Sequence, residues 1–117
     1  MYNKYTKYIL FFLFTSFLYS VESIKVKSPN GKEKLKFDQD YEIKWKLSKS
    51  IKKYDKVQIY FSYNDGLSWS SIAITENDGR YIWNIPAINS ESCLIKIQTL
   101  DATIKGKSKK VFRITSP

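Results

Sequence analysis

From residue 24 onward, apolar side chains recur at every second position in short runs broken by turn residues. Ile24 and Val26 alternate with Lys25 and Lys27, and Pro29-Asn30-Gly31 follows. Tyr41, Ile43, Trp45 and Leu47 alternate with Glu42, Lys44 and Lys46. Val57, Ile59, Phe61 and Tyr63 form a third row, and Trp69 to Thr75 a fourth segment. Arg80 to Ile85 puts Tyr81, Trp83 and Ile85 on one face and stops at Pro86, which cannot donate to a ladder. Cys93, Ile95 and Ile97 mark a sixth run, and Val111 to Thr115, with Phe112 and Ile114 inward, a seventh. A period of two belongs to strands, whose successive side chains face opposite sides. No stretch beyond residue 23 holds a helical period over three turns. Asn64-Asp65-Gly66 and Asn77-Asp78-Gly79 supply residues that tolerate the positive φ of tight turns. Seven short strands with turns between them predict an all-β fold, a seven-stranded antiparallel sandwich. The inward set is Tyr41, Ile43, Trp45, Val57, Ile59, Phe61, Trp69, Tyr81, Trp83, Ile95, Ile97, Phe112 and Ile114. Trp45, Trp69, Tyr81, Trp83 and Phe112 are its largest core fillers.

Residues 1–23 follow a different rule. Met1 to Lys7 carries Lys4 and Lys7 with no acid, and Tyr8 to Val21 is uncharged. A basic start followed by an apolar run of this length reads as a signal-peptide helix. The run holds 14 residues, short of the roughly 18 needed to span a bilayer. Small residues around Val21-Glu22-Ser23 place cleavage after Ser23, with Ser20 the other candidate. The competing reading is an uncleaved anchor or a buried helix. No Cys follows the apolar run, which argues against a lipoprotein. The expected organisation is a signal peptide over 1–23 and one β-sandwich domain over 24–117, a size that folds without staples. Export implies a secreted, cell-surface or envelope location.

Charge adds a partner class. Twenty basic residues against 11 acids give a net charge of +9. Such an excess favours anionic partners. All basic residues but Arg80 and Arg113 are lysine, and with many Ile, Asn and Tyr the same excess also fits coding bias. If the first two long runs share a solvent face, Lys25, Lys27, Lys44 and Lys46 line it, with Lys32, Lys34 and Lys36 in the adjoining loop. That row is the candidate anionic-ligand surface. Lysines on an edge strand also deter sheet-to-sheet pairing, which is the structural alternative. Lys49–Lys56 and Lys105–Lys110 each read as a basic loop or hairpin tip. Tyr54, Tyr60 and Tyr63 would offer aromatic faces to a sugar ring if exposed.

Several chemistries find no residues. The chain has no histidine, which removes the commonest general base, the usual triads and most zinc sites. Cys93 is the only cysteine, so no intrachain disulfide forms, and its setting reads as a buried strand. No glycine-rich phosphate loop appears and no cofactor motif is found. Asp65, Glu76 and Asp78 lie near turns, where they form a carboxylate cluster at one end or serve as turn residues; neither pattern is a calcium loop.

Particular stretches resemble known modules. Ser28-Pro29-Asn30-Gly31, Ile43-Lys44-Trp45, Ile59 to Trp69, Asp78-Gly79-Arg80-Tyr81-Ile82-Trp83-Asn84-Ile85-Pro86, Cys93 to Ile97 and Phe112-Arg113-Ile114 follow in that order. The order resembles an Ig-like or fibronectin-III-like module of exported surface proteins. It is also similar to the amino-terminal domain of Ser/Thr-rich GPI-anchored fungal cell-wall proteins of β-1,6-glucan assembly. The resemblance implies a surface β-sandwich with an accessory or structural role and no catalytic residues. Ser62-Tyr63-Asn64-Asp65-Gly66-Leu67-Ser68-Trp69 also looks like an Asp-box turn, with Asn64 in the Asp position. One hairpin and two arginines do not make a sialidase, so a hairpin turn is expected there. The expected function is a non-catalytic binding or adhesion module for a surface glycan or protein. The alternative is an envelope assembly accessory with no discrete ligand. An anionic polymer fits the charge, export disfavours nucleic acid, and a membrane is met only through an uncleaved first segment.

Overall fold

The computed structural model describes residues 23–48 and 54–117. The expected signal helix, apart from Ser23, and Lys49 to Lys53 lie outside the described residues. Strands run β1 (Ile24–Ser28), β2 (Lys34–Lys36), β3 (Asp40–Leu47), β4 (Lys56–Ser62), β5 (Ser70–Glu76), β6 (Arg80–Asn84), β7 (Ser90–Thr99), β8 (Lys105–Lys107) and β9 (Phe112–Thr115). The described chain is all-β, with a three-stranded sheet in the order β1-β3-β6 and a six-stranded sheet in the order β2-β9-β7-β4-β5, to which β8 adds on β7.

Alternation produces these strands where it is strong. In β3, Ile43 and Trp45 are buried and Lys44 and Lys46 exposed; in β4, Val57, Ile59 and Phe61 are buried. Both sheets turn these residues to one core. Ile24, Val26, Ile43, Trp45, Trp83 and Ile85 meet Val57, Ile59, Phe61, Ile95, Ile97, Phe112 and Ile114 there. The Trp83 ring joins the two layers, 5.1 Å from Phe61 and 6.4 Å, edge-on, from Phe112. Trp45 is buried too, and its indole Nε1 donates to Asn77 Oδ1 at 3.2 Å, so its one polar atom is satisfied. Tyr81 packs at the margin of the core, half-buried.

Two strands depart from the seven expected. β2 pairs parallel to β9, Leu35 opposite Ile114, which makes the six-stranded sheet mixed instead of antiparallel. Phe37 N donating to Thr115 O and Arg113 N donating to Glu33 O extend the pairing. β8 pairs with Lys96–Gln98 of β7, while β9 takes Ser90–Cys93; β4 holds the opposite edge of β7. Each extra strand has three residues, too few to show a period of two.

Candidate functional site

The four lysines of the expected anionic-ligand surface fall on one face. β1 and β3 pair antiparallel with Lys25 opposite Lys46, Val26 opposite Trp45 and Ser28 opposite Lys44; a bulge between Val26 and Ser28 carries Lys27. Ile24, Val26, Ile43 and Trp45 alternate with the lysines and are buried, whereas Lys25, Lys27, Lys44 and Lys46 are all exposed to solvent. Arg80, opposite Lys44 on β6, extends the row across all three strands. Sequence reading did not include it, although its place before Tyr81 in an alternating run fixes its outward direction. An open depression of about 520 Å³ lies along this face between Lys27, Lys46 and Arg80. Glu42 Oε1 stands 3.5 Å from Lys44 Nζ and takes up part of that charge. Among the described residues, Lys25, Lys27, Lys46 and Arg80 have no carboxylate partner. Lys34 and Lys36 do not extend this row, because β2 belongs to the other sheet.

Trp69 is a correction. It is half-buried and stands outside the core. The cause is a bulge. Ile59 pairs with Ala73 but Tyr60 pairs with Ser71, so Ile72 is passed over. A bulge adds one residue to one strand, so every residue of β5 before Ile72 swaps faces. Regular counting sends 75, 73, 71 and 69 inward; after the bulge, Trp69 shares the outer face with Tyr60. There Lys96 Nζ lies 4.4 Å from the Trp69 ring centroid and 5.0 Å from that of Tyr60. Lys96 is directly opposite both Tyr60 on β4 and Lys107 on β8, and Gln98 is opposite Lys105. The outer face of the six-stranded sheet therefore carries its own row: Trp69, Tyr60, Lys96, Lys107 and Lys105. Lys96, between Ile95 and Ile97, and Tyr60, between Ile59 and Phe61, were legible as outward residues, but not their meeting with Trp69, Lys105 and Lys107.

The turn that leads to Trp69 is tied by its own side chains. Ser62 Oγ accepts from Gly66 N at 2.8 Å and from Asn64 N at 3.3 Å, and donates to Asn64 Oδ1 at 2.9 Å. Asn64 Oδ1 accepts from Ser68 N at 3.0 Å, and Asn64 Nδ2 donates to Ser68 Oγ at 2.8 Å. Asp65 and Gly66 take φ of 59° and 83°, the left-handed values that Asp and Gly tolerate. These polar atoms are spent on the turn, which gives the Asp-box-like stretch a structural role.

The remaining candidates do not gather. Asp65 sits at one end of β5 and Glu76 and Asp78 at the other, roughly 20 Å apart along an extended strand. Among the described residues, no three His, Cys, Asp or Glu side chains come together to hold a metal. Cys93 is buried, and that burial pushes its thiol pKa up, away from the reactive thiolate. Tyr54 packs against the core, while Tyr63 is exposed and Tyr60 lies under Lys96, so the three make no shared platform. No family model, no curated protein and no solved structure matches the chain.

Proposed function

We propose that this chain is an exported, non-catalytic module of the Ig-like or fibronectin-III-like sandwich type, and that it binds at the cell surface or envelope. The strand order supports the fold reading. In this reading the order β1-β3-β6 would correspond to strands A, B and E of that architecture, and β4, β7 and β9 to C, F and G. β5 attaches beside β4 as a further strand of that second sheet. The buried tryptophan that joins the layers is Trp83, on β6.

The observation that carries the binding role is the cationic face of the three-stranded sheet. Four lysines and Arg80 face solvent on three adjacent strands. A broad face on which five cations outnumber the two acids beside them, Glu42 and Asp78, attracts an extended anionic surface, either an acidic glycan of the envelope or an acidic protein. Lysine suits that task, since it places a mobile point charge rather than a fixed fork. The test is retention of the full chain on envelope fractions of its own cells. Retention should fall as salt rises, because exposed charges are screened over about 8 Å at physiological ionic strength. Lys25→Gln with Lys46→Gln should release the chain. Retention that ignores both salt and this double variant would instead favour an assembly accessory held by packing.

A further inference from the structure

The face of the six-stranded sheet carries a feature that the proposed role above does not use. β8 is held in place by what Gly106 lacks: a Cβ there would overlap the Ile24 carbonyl group of β1. With Gly106 turned inward against β1, Lys105 and Lys107 on either side both point outward, the direction of Lys96. The other boundary is the hydrogen-bonded turn at Gly66. Between the two lies a cleft of about 420 Å³, lined by Gly66, Trp69, Gly106 and the three lysines, within the size range of small-ligand sites. Asp65 is the one acid on its wall, and among the described residues it pairs with none of the lysines. Like charges placed directly opposite each other weaken a strand pair. Lys96 and Lys107 are such a pair. Burial, and then Lys105 and Lys107, hold the Lys96 ammonium pKa below the usual amine value. A bound anion would offset the repulsion among the three lysines.

We propose that this cleft is a second binding site, one for a short acidic saccharide. Its uronate or sulfate groups meet the ammonium groups of Lys96, Lys105 and Lys107, and a sugar ring lies beside the edge of the Trp69 ring on the cleft wall. The aromatic geometry selects the ligand class. Single-stranded nucleic acid stacks its bases on open aromatic faces. Here the Lys96 ammonium already covers one face of each ring, and Gly66 lies against the indole. An acidic saccharide needs point charges with apolar surface beside them, and this cleft provides both.

The site is independent of the lysine face of the other sheet, so the two proposals fail separately. The full chain is titrated with a uronate tetrasaccharide, a sulfated tetrasaccharide, a neutral tetrasaccharide and a short oligothymidylate, and amide and indole NMR signals are followed. At least one acidic tetrasaccharide should shift the Trp69 indole and the Lys96 and Gly106 amides, and the neutral one should not. The uronate and sulfate arms tell which acidic group is read. Lys96→Gln with Lys107→Gln should weaken that binding by about tenfold or more. Lys25→Gln with Lys46→Gln should change it by less than about twofold. All four positions are at the surface, and an otherwise unchanged amide spectrum verifies the fold. The proposal is overturned by any of three results: neither acidic saccharide moves the Trp69 indole, the two double variants lose affinity equally, or the thymidylate binds as tightly with the same dependence on Lys96.

Discussion

The outer faces of the two sheets each carry a row of cations, and they are assembled in different ways. On the three-stranded sheet, alternation builds most of the row, and one bulge between Val26 and Ser28 carries Lys27. Lys25 and Lys44 sit between buried neighbours, and pairing of β1 with β3 brings Lys25 against Lys46. On the six-stranded sheet the row depends on two irregularities. A bulge at Ile72 turns Trp69 outward, and a three-residue strand, pinned at Gly106, brings Lys105 and Lys107 beside Lys96. The first row is broad and open; the second borders a cleft.

Both faces rest on one core, so the largest effect comes from removing what joins them. Trp83→Ala deletes the ring that contacts Phe61 and Phe112 across the layers. It should cost about 3–5 kcal/mol in urea unfolding and disturb both faces together. An unchanged unfolding midpoint would mean that the sheets are not joined through this ring.

A smaller substitution should separate the faces. Gly106→Ala places a methyl group against the Ile24 carbonyl. It should cost roughly 1–3 kcal/mol, the usual range for overpacking. Faster amide exchange should concentrate in β8 and the neighbouring part of β7. The Lys44–Arg80 side of the other sheet should keep its protection. Equal loss of protection in β3 and β6 would show that the two faces are not separable.

What the sequence made legible follows the same division. Ile43-Lys44-Trp45-Lys46 announces its register because buried and exposed side chains differ so sharply in polarity. The burial of Trp45, Trp83 and Phe112 follows from that alternation. Trp69 could not be placed by the same count, since the bulge at Ile72 lies in Ser71-Ile72-Ala73-Ile74, where no glycine or proline marks a break. β2 and β8 hold three residues each and have lysines at both ends. β2 pairs with β9, far away in the chain, and β8 is too short to show a period against its neighbour β7. Arg80 was within reach of the alternation, whereas the meeting of Lys96 with Lys105 and Lys107 required the pairing of β8.

The lysine face offers a test of its own charge. Lys46→Glu turns the like-charge pair with Lys25 into an opposite-charge pair on adjacent strands. Stability should rise by a few tenths of a kcal/mol, up to about 1, and the gain should shrink in high salt. Envelope retention should fall in the same variant, while saccharide binding in the cleft stays. A rise in stability with undiminished retention would leave the row as a guard on the edge strand β1.

The smallest effect concerns acid, and it belongs to the second face alone. Asp101 lies in the turn between β7 and β8, where its Oδ1 accepts from Thr99 Oγ1 at 2.6 Å, Thr103 Oγ1 at 2.7 Å and Thr103 N at 3.0 Å. The Thr99 hydroxyl bond is the largest cause that lowers its pKa to about 2, followed by the Thr103 bonds. In the unfolded chain an aspartate titrates near 3.9. A depressed folded value means that the unfolded state takes up the proton first. The stabilising contribution is therefore complete above about pH 4 and is lost as the pH falls from there through about 2. Amide exchange measured at pH 5 and at pH 2.5 should show the β7–β8 turn loosening in acid more than the β1–β3 pair. The bonds next to that carboxylate, Thr99 N to Ile104 O and Ala102 N to Thr99 O, are the ones to follow. Asp101→Asn retains an oxygen acceptor but carries no charge, so it should remove most of this pH difference and lower protection at pH 5. If the turn and the β1–β3 pair loosen in parallel, the carboxylate does not set the order of the turn. The position of β8, and of Lys105 and Lys107 with it, would then rest on its pairing with β7 and on the Gly106 contact.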